Sequence, residues 1–381
     1  MKTVLHVVGA RPNFMKVAPI HRAIAERGRL RQILVHTGQH YDVKMSDVFF
    51  TDLKLPPPDI HLGAGSGSHA EQTAKVMVEL EKVCAGERPD LISVVGDVNS
   101  TLAASLVAAK ALIPLAHVEA GLRSNDRTMP EEINRIVTDR LADFLLTPST
   151  DADENLRREG VDERRIFFVG NVMIDSLFTF RERAQRLPTL GQMGLAPRKY
   201  AVCTMHRPSN VDDPETLYDL LGALGEISRT VPVIFPVHPR TRKILSTADA
   251  PRKLADCPQL RLIDPMGYLE FLSLTSQAAL ILTDSGGLQE EATALDVPCL
   301  TLRENTERPV TVTVGTNIIV GTDPERIVAE ATKALGGNGK KGRLPDRWDG
   351  RAAARIAEIF EHSLLGSASI SEPDQPRLNG G

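Results

Sequence analysis

Cysteine is scarce in this chain: four residues in 381, at positions 84, 203, 257 and 299, with no C-x-x-C pair. Three of them sit among apolar neighbours. Buried reduced thiols are therefore expected, and neither a disulfide framework nor a cysteine metal site. An excess of charge of either sign is also lacking. A net charge of −4 gives no general attraction to nucleic acid or to an anionic membrane. An anionic ligand has to be met by local Arg, Lys and helix ends. No apolar stretch approaches the roughly 20 residues of a membrane span. The run Val4 to Val8 is broken by Arg11-Pro12-Asn13, too early for the apolar region of a secretion signal. A cytoplasmic location is expected. The G-x-G-x-x-G fingerprint is missing after the first apolar run, which counts against NAD.

The length suggests two domains, and 42% hydrophobic with 25% charged residues fits an ordinary globular protein. Short apolar runs alternate with longer amphipathic segments. Strands are expected at Thr3–Val8, Gln32–His36, Leu91–Val95, Pro114–Val118, Phe144–Thr147 and Ile166–Val169. Helices are expected between them at Lys16–Arg27, Ala70–Ala85, Ser100–Ala111, Glu131–Ala142 and Ala152–Glu159. A second series of strands is expected at Tyr200–Thr204, Val231–Pro236, Leu260–Ile263, Ala279–Leu282, Cys299–Leu302 and Asn317–Val320. Such alternation predicts an α/β fold of two Rossmann-like, doubly wound domains facing a cleft. Residues 1–185 form the expected first domain, 186–198 the linker and 199–350 the second domain. An amphipathic helix over 351–364 follows, expected to pack back on the first domain. The polar residues 366–381 are expected to be disordered.

The stretch Ala279 to Thr301 carries the densest chemistry. An apolar run ends in Thr283-Asp284-Ser285-Gly286-Gly287, and a helix is expected from Leu288. Glycines and a helix N-terminus offer free N–H groups to a diphosphate, and Glu290 and Glu291 suit ribose hydroxyls. Gly-Gly between strand and helix also serves as a plain connection. In the first half, Arg11 stands at a strand end and Lys16 is expected to open a helix, where a cation calls for a bound anion. Asp97, Glu119 and Glu131 would crowd one rim of the first sheet as candidates for proton transfer. Bracing the turn and capping the helix are the structural alternatives for Asp97 and Glu131. Ser100 reads as an N-cap. His206-Arg207 and His238-Pro239-Arg240 end two strands of the second series, facing the proposed phosphate seat.

The motifs G-A-R-P-x-x-x-K, G-D-V-N-S-T, H-V-E-A-G-L-R-S, M-P-E-E-I-N-R, T-M-H-R, H-P-R-T, T-D-S-G-G-L-Q-E-E and T-E-R-P occur in one order along Lys2 to Phe360. Together they resemble the non-hydrolysing UDP-N-acetylglucosamine 2-epimerases. The resemblance implies a glycosyltransferase type B-like fold and a reaction without metal, nicotinamide or other cofactor. UDP would be eliminated across C1–C2 of the sugar and added back with C2 inverted. It implies Asp97, Glu119, Glu131 and His206 as catalytic residues. Arg11, Lys16, Arg135, Arg207, His238, Ser285, Gly286, Gly287, Glu291 and Arg308 would bind the UDP-sugar. A homodimer and a role in polysaccharide biosynthesis are implied as well.

Relatives often carry Glu where this chain has Asn13 and Val310, and Gln and Arg where it has Asp42 and Ser66. Gln39 and His40 match. These departures predict no need for UDP-N-acetylglucosamine as activator. Turnover of UDP-N-acetylmannosamine only after traces of the other epimer are added would disprove this. Competing readings are an epimerase of a UDP-2,3-diacetamido sugar acid, a hydrolysing epimerase, a glycosyltransferase and a non-catalytic nucleotide-sugar sensor. Arg308 argues against the first, whose members tend to carry Trp there.

Overall fold

The computed structural model describes residues 1–38, 53–237, 239–245, 257 and 259–366. Strands β1 (Thr3–Val8), β2 (Arg31–His36), β3 (Ile60–His61), β4 (Leu91–Val95), β5 (Leu115–Val118), β6 (Phe144–Thr147) and β7 (Ile166–Phe168) form one sheet in the order β3-β2-β1-β4-β5-β6-β7. A second sheet has the order β10-β9-β8-β11-β12-β13. Its strands are β8 (Ala201–Thr204), β9 (Val233–Pro236), β10 (Leu260–Ile263), β11 (Leu280–Thr283), β12 (Cys299–Thr301) and β13 (Asn317–Ile319). Neighbouring strands run parallel throughout, for example β1 with β4 and β8 with β11. Buried on both faces, these strands read as unbroken apolar runs such as Leu280-Ile281-Leu282.

Both sheets reverse their strand order at one point, between β1 and β4 and between β8 and β11. Parallel sheets open a crevice at the carboxyl ends of strands at such a reversal. Gly9 and Asp97 therefore lie at the crevice of the first sheet, and His206 and Ser285 at that of the second.

Several helices differ from expectation, two of them in ways that shape the core. The first begins at Arg11, not Lys16, and runs to Arg27. Pro12 suits the first turn, where its missing N–H is no loss. Asn13 replaces a cap, its Oδ1 accepting from the N–H groups of Gly9 and Ala10 at 3.0 Å. The helix Val172–Gln185 was not expected; the Asn171 side chain caps it by accepting from the Met173 N–H. It packs against the helices Arg11–Arg27, Tyr268–Ser276 and Gly286–Ala294. One core accordingly joins Val8, Phe14, Ile174 and Leu177 to Tyr200, Leu272, Ile281 and Leu288.

The C-terminal helix Ala352–Leu365 buries Ile356, Ala357 and Phe360 against Val4, Ile20 and Ile24. Ile356 and Phe360 contribute about 1.5–3 kcal/mol each on burial. The Glu361 carboxylate draws Arg27 Nε to 3.0 Å and Arg29 Nη1 to 3.3 Å, and Asp175 accepts from the Ala353 N–H.

Candidate active site

The helix after β11 starts at Gly286, two residues before the expected Leu288, and runs to Ala294. A Cβ on Gly286 would lie 2.4 Å from Arg308 Nη1 and 2.6 Å from Glu307 Oε1, so close approach demands glycine there. The same atom on Gly287 would meet only Met173 Cε at 3.7 Å, an ordinary contact. Ser285 occupies the N-cap without a side-chain cap, and its own N–H goes to Thr283 Oγ1. The first-turn N–H groups are thus left for a ligand.

Beside this turn, β8 delivers His206 and Arg207. Their backbone N–H groups both donate to Asp284 Oδ2 at 2.9 Å, and Asn210 Nδ2 adds a third bond. His206 Nδ1 lies 2.9 Å from Asp284 Oδ1. Burial works to raise the Asp284 pKa, but His206 and the two backbone donors hold it below the ordinary carboxylate value. Arg207 reaches toward Glu307, at 3.8 Å.

On the first sheet, Glu119 follows β5 with a φ of +70°, in the left-handed region. A buried cluster fixes this turn. Asp139 accepts from the Gly121 N–H at 3.0 Å and from Arg123 Nη1 at 2.7 Å, and faces His117 Nδ1 at 2.6 Å. Gly121 has a φ of +82°, and a Cβ there would come 2.5 Å from the Ala152 carbonyl oxygen. The Glu119 carboxylate that results is buried between two cations. Lys16 Nζ stands 2.5 Å from Oε2, and Arg308 Nη2 donates to Oε1 at 2.9 Å.

Arg308 comes from the second sheet's side, so this last bond joins the two rims across the cleft. The same guanidinium lies 3.0 Å from Glu290 Oε1 and donates to Glu307 Oε1. Burial opposes the charge on Arg308, yet Glu290, Glu307 and Glu119 raise its pKa further. Burial alone would raise the Glu307 carboxyl, but Arg308 and Arg303 hold it well below the usual range. Glu290 is pushed upward by burial against the pull of Arg308. Burial first, then Glu290, pushes Glu291 up to about 8.

Asp97 and Arg135 form a separate pair at 2.5 Å, with Glu132 on the other arm of the guanidinium. Glu131 is half-buried in the first turn of the helix Pro130–Leu141 and makes no hydrogen bond or ion pair among the described residues. The Arg11 side chain and His238 lie outside the described residues, as do Gln39, His40, Asp42 and residues 367–381. Ser100 does not cap a helix as expected. The helix begins at Asn99, and Ser100 Oγ instead shares a hydrogen bond with Thr37 Oγ1. Asn13 serves the helix start described above, and Val310 is buried in the core.

The anion expected beside Lys16 is thus a side chain of this chain, Glu119. Sequence reasoning left out Asp284, Glu132 and Asp139 as members of the constellation and gave Glu290 only a place at the ribose. Asp284 and Glu290 stand inside T-D-S-G-G-L-Q-E-E, where a buried carboxylate next to a Gly-Gly turn was the available signal. Among the described residues no three His, Cys, Asp or Glu side chains are grouped to hold a metal ion.

Comparison with known proteins matches residues 22–361 to the family described as UDP-N-acetylglucosamine 2-epimerase. A UDP-N-acetylglucosamine 2-epimerase of Methanocaldococcus jannaschii is 44% identical over 361 residues, covering 93% of this chain and 98% of the relative. The UDP-2,3-diacetamido-2,3-dideoxy-D-glucuronate 2-epimerase of Pseudomonas aeruginosa is 42% identical, covering 94% of this chain and 99% of that protein. Among solved structures, Methanocaldococcus jannaschii UDP-GlcNAc 2-epimerase in complex with UDP-GlcNAc and UDP shares a TM-score of 0.86 at 43% identity, covering 95% of this chain and 100% of its own. The two Rossmann-ordered sheets about one cleft are the glycosyltransferase type B-like architecture. With sequence and fold matched over nearly the whole length, the chain belongs to the UDP-N-acetylglucosamine 2-epimerase family.

Proposed function

We propose that this protein interconverts UDP-N-acetylglucosamine and UDP-N-acetylmannosamine by eliminating UDP and adding it back. The observation that carries this reading is the joint between the rims. A carboxylate of the first sheet and a cation beside the helix N-terminus of the second lie 2.9 Å apart, at Glu119 and Arg308. A sugar between them would have acid–base groups on one side and a diphosphate seat on the other.

In this reading the diphosphate rests on the Ser285 hydroxyl and the N–H groups of Gly286 and Gly287, with His206, Arg207 and Arg11 around it. Glu291 receives the ribose hydroxyls, and Lys16, Arg135, His238 and Arg308 position the substrate. A C2 proton beside an acetamido group is not acidic, so C1–O cleavage leads the way. Stabilising the departing diphosphate is then the largest catalytic contribution. A base takes the proton from C2, the C1=C2 double bond forms, and the C1–O electron pair leaves with UDP. On return, a proton reaches C2 from the opposite face while UDP re-forms the C1–O bond. Asp97, Glu119 and Glu131 divide this proton work. Residues 1–185 and 199–350 act as two closing domains that keep the glucal from escaping, and the helix over 351–364 belongs with the first. The reading includes a cytoplasmic homodimer that supplies polysaccharide biosynthesis.

A second reading rests on the 42% identity to the Pseudomonas aeruginosa enzyme: 2-epimerisation of a UDP-2,3-diacetamido glucuronate. Proton NMR in deuterated water with each nucleotide sugar separates the two. The manno epimer of UDP-N-acetylglucosamine, deuterated at C2 and with UDP attached, supports the first. Turnover of the diacetamido glucuronate alone moves the assignment to the second. Free UDP accumulating with N-acetylmannosamine means hydrolysis and overturns both.

A further inference from the structure

The two carboxylate oxygens of Asp284 do different work. The residue is 0% exposed at the end of β11. Oδ2 takes the N–H groups of His206 and Arg207 and the Asn210 amide. Oδ1 lies 2.9 Å from His206 Nδ1, an ion-pair distance, and has no hydrogen bond among the described residues.

That geometry decides where the ring proton sits. An unprotonated Nδ1 would set its lone pair against a carboxylate oxygen that has no other donor, deep in a low-dielectric site. Nδ1 therefore carries hydrogen and Nε2 is the free ring atom. The ring itself is 53% exposed, so Nε2 is the nitrogen available to the cleft.

We propose that Asp284 is a positioning residue for His206, fixing it as the Nδ1–H form and aiming Nε2 at the oxygen on which negative charge appears when the sugar–diphosphate bond breaks. The assignment rests on the proposed epimerase reaction for the identity of that oxygen. As the C1–O bond breaks, its electron pair moves to the diphosphate oxygen. With the diphosphate in place Nε2 takes up a proton from water and donates a hydrogen bond to that oxygen, and the resulting imidazolium is balanced by the Asp284 carboxylate behind it. No proton needs to leave the ring, and the reverse step restores the starting state. Because Oδ2 also holds the His206-Arg207 turn, one carboxylate sets both the imidazole and the adjacent guanidinium against the Ser285–Gly286 seat.

The test uses the full-length protein labelled with 15N-histidine. Long-range proton–nitrogen spectra report the tautomer of His206, identified among the ten histidines by the signal lost in His206→Gln. The wild-type protein should show Nδ1 protonated. In Asp284→Asn, the amide oxygen can still accept the backbone N–H groups while its NH2 faces Nδ1. The tautomer should then turn to Nε2–H. Turnover should fall on the order of 100-fold or more, while the dissociation constant of UDP rises by less than about tenfold, because the backbone seat is kept.

An Nε2–H tautomer at His206 in the wild-type protein overturns the proposal whatever Asp284→Asn shows. So does an Asp284→Asn protein whose turnover stays within about threefold of wild type. A purely structural carboxylate would lower stability and leave the tautomer unchanged. Failure of the wild-type protein to epimerise UDP-N-acetylglucosamine would instead sink the functional reading, and the tautomer result would stand apart from it.

Discussion

Raising the pH should tighten the binding of UDP-N-acetylglucosamine, because the carboxyl assigned to its ribose is protonated when the site is empty. Glu291 is 5% exposed, and its carboxyl makes no hydrogen bond or ion pair among the described residues. Burial, and then Glu290, push its pKa to about 8 from an ordinary 4.5. Ribose hydroxyls donate to the ionised form, so binding selects the carboxylate. At about pH 6 roughly one molecule in a hundred carries that charge, so affinity for the ionised form is reduced by up to about 100-fold, or about 2.7 kcal/mol. Calorimetric titration from about pH 6 to about pH 8.5 should show the dissociation constant falling toward a plateau near the upper end, with proton release on binding.

Free-protein stability should move the other way. Between 4.5 and about 8 the folded state holds a proton on Glu291 that the unfolded state has lost. Stability then declines as pH rises through this window, by at most about 1.4 kcal/mol per unit, and the loss is complete above it. Glu290 and His206 lie in the same site, so Glu291→Gln is the control that isolates one group. Affinity that is flat across this range refutes the reasoning, as does a slope that survives in Glu291→Gln.

Three further outcomes are expected. Arg308→Met leaves Glu119, Glu290 and Glu307 buried without their shared cation, and urea titration should show about 3–5 kcal/mol lost. Part of that loss should return when Glu290→Gln is added. Gly286→Ala drives a methyl group into Arg308 and Glu307, so KM for the UDP-sugar should rise about tenfold, or about 1.4 kcal/mol; steady-state kinetics with KM unchanged would count against a seat at this turn. Glu131→Gln disturbs no hydrogen bond or ion pair among the described residues, so stability should hold within about 0.5 kcal/mol. Deuterium entry at C2 should meanwhile fall about 100-fold or more, and unchanged exchange removes Glu131 from proton transfer.

Most strands were legible because burial on both faces leaves continuous apolar runs. Thr3–Val8, Leu91–Val95, Phe144–Thr147 and Leu260–Ile263 have the expected bounds, and others differ by a residue or two. The two-residue strand Ile60–His61 gives too short a signal to detect. Val172–Gln185 was hidden for another reason. Its buried residues include Val172, Met173, Ile174, Asp175, Ser176 and Leu177 in succession, because the helix packs against several neighbours. A helix covered on more than one side loses the single apolar stripe that periodicity detects. The early start at Arg11 was missed because Pro12 reads as a breaker, although the first turn of a helix is where proline fits.

Candidate site residues were legible one by one because strand ends at a reversal of order gather chemistry there. Their contacts were not, since Glu119 and Arg308 are 189 residues apart in the chain. That distinction changes how the cleft works. Lys16, Arg135 and Arg308 already have carboxylate partners, and Arg207 is the loosest of the set at 3.8 Å from Glu307. A diphosphate entering this cleft meets cations already neutralised among the described side chains. Its first attractions are therefore the helix N–H groups, His206 and the weakly held Arg207, and the other cations engage only by exchanging partners. Such a site discriminates against simple anions, which cannot repay the broken ion pairs without ribose and sugar contacts. It follows that removing any one of the buried cations takes an ion-pair partner from a carboxylate. Rate and stability will fall together in those variants, and only a carboxyl without a partner, as at Glu131, separates the two.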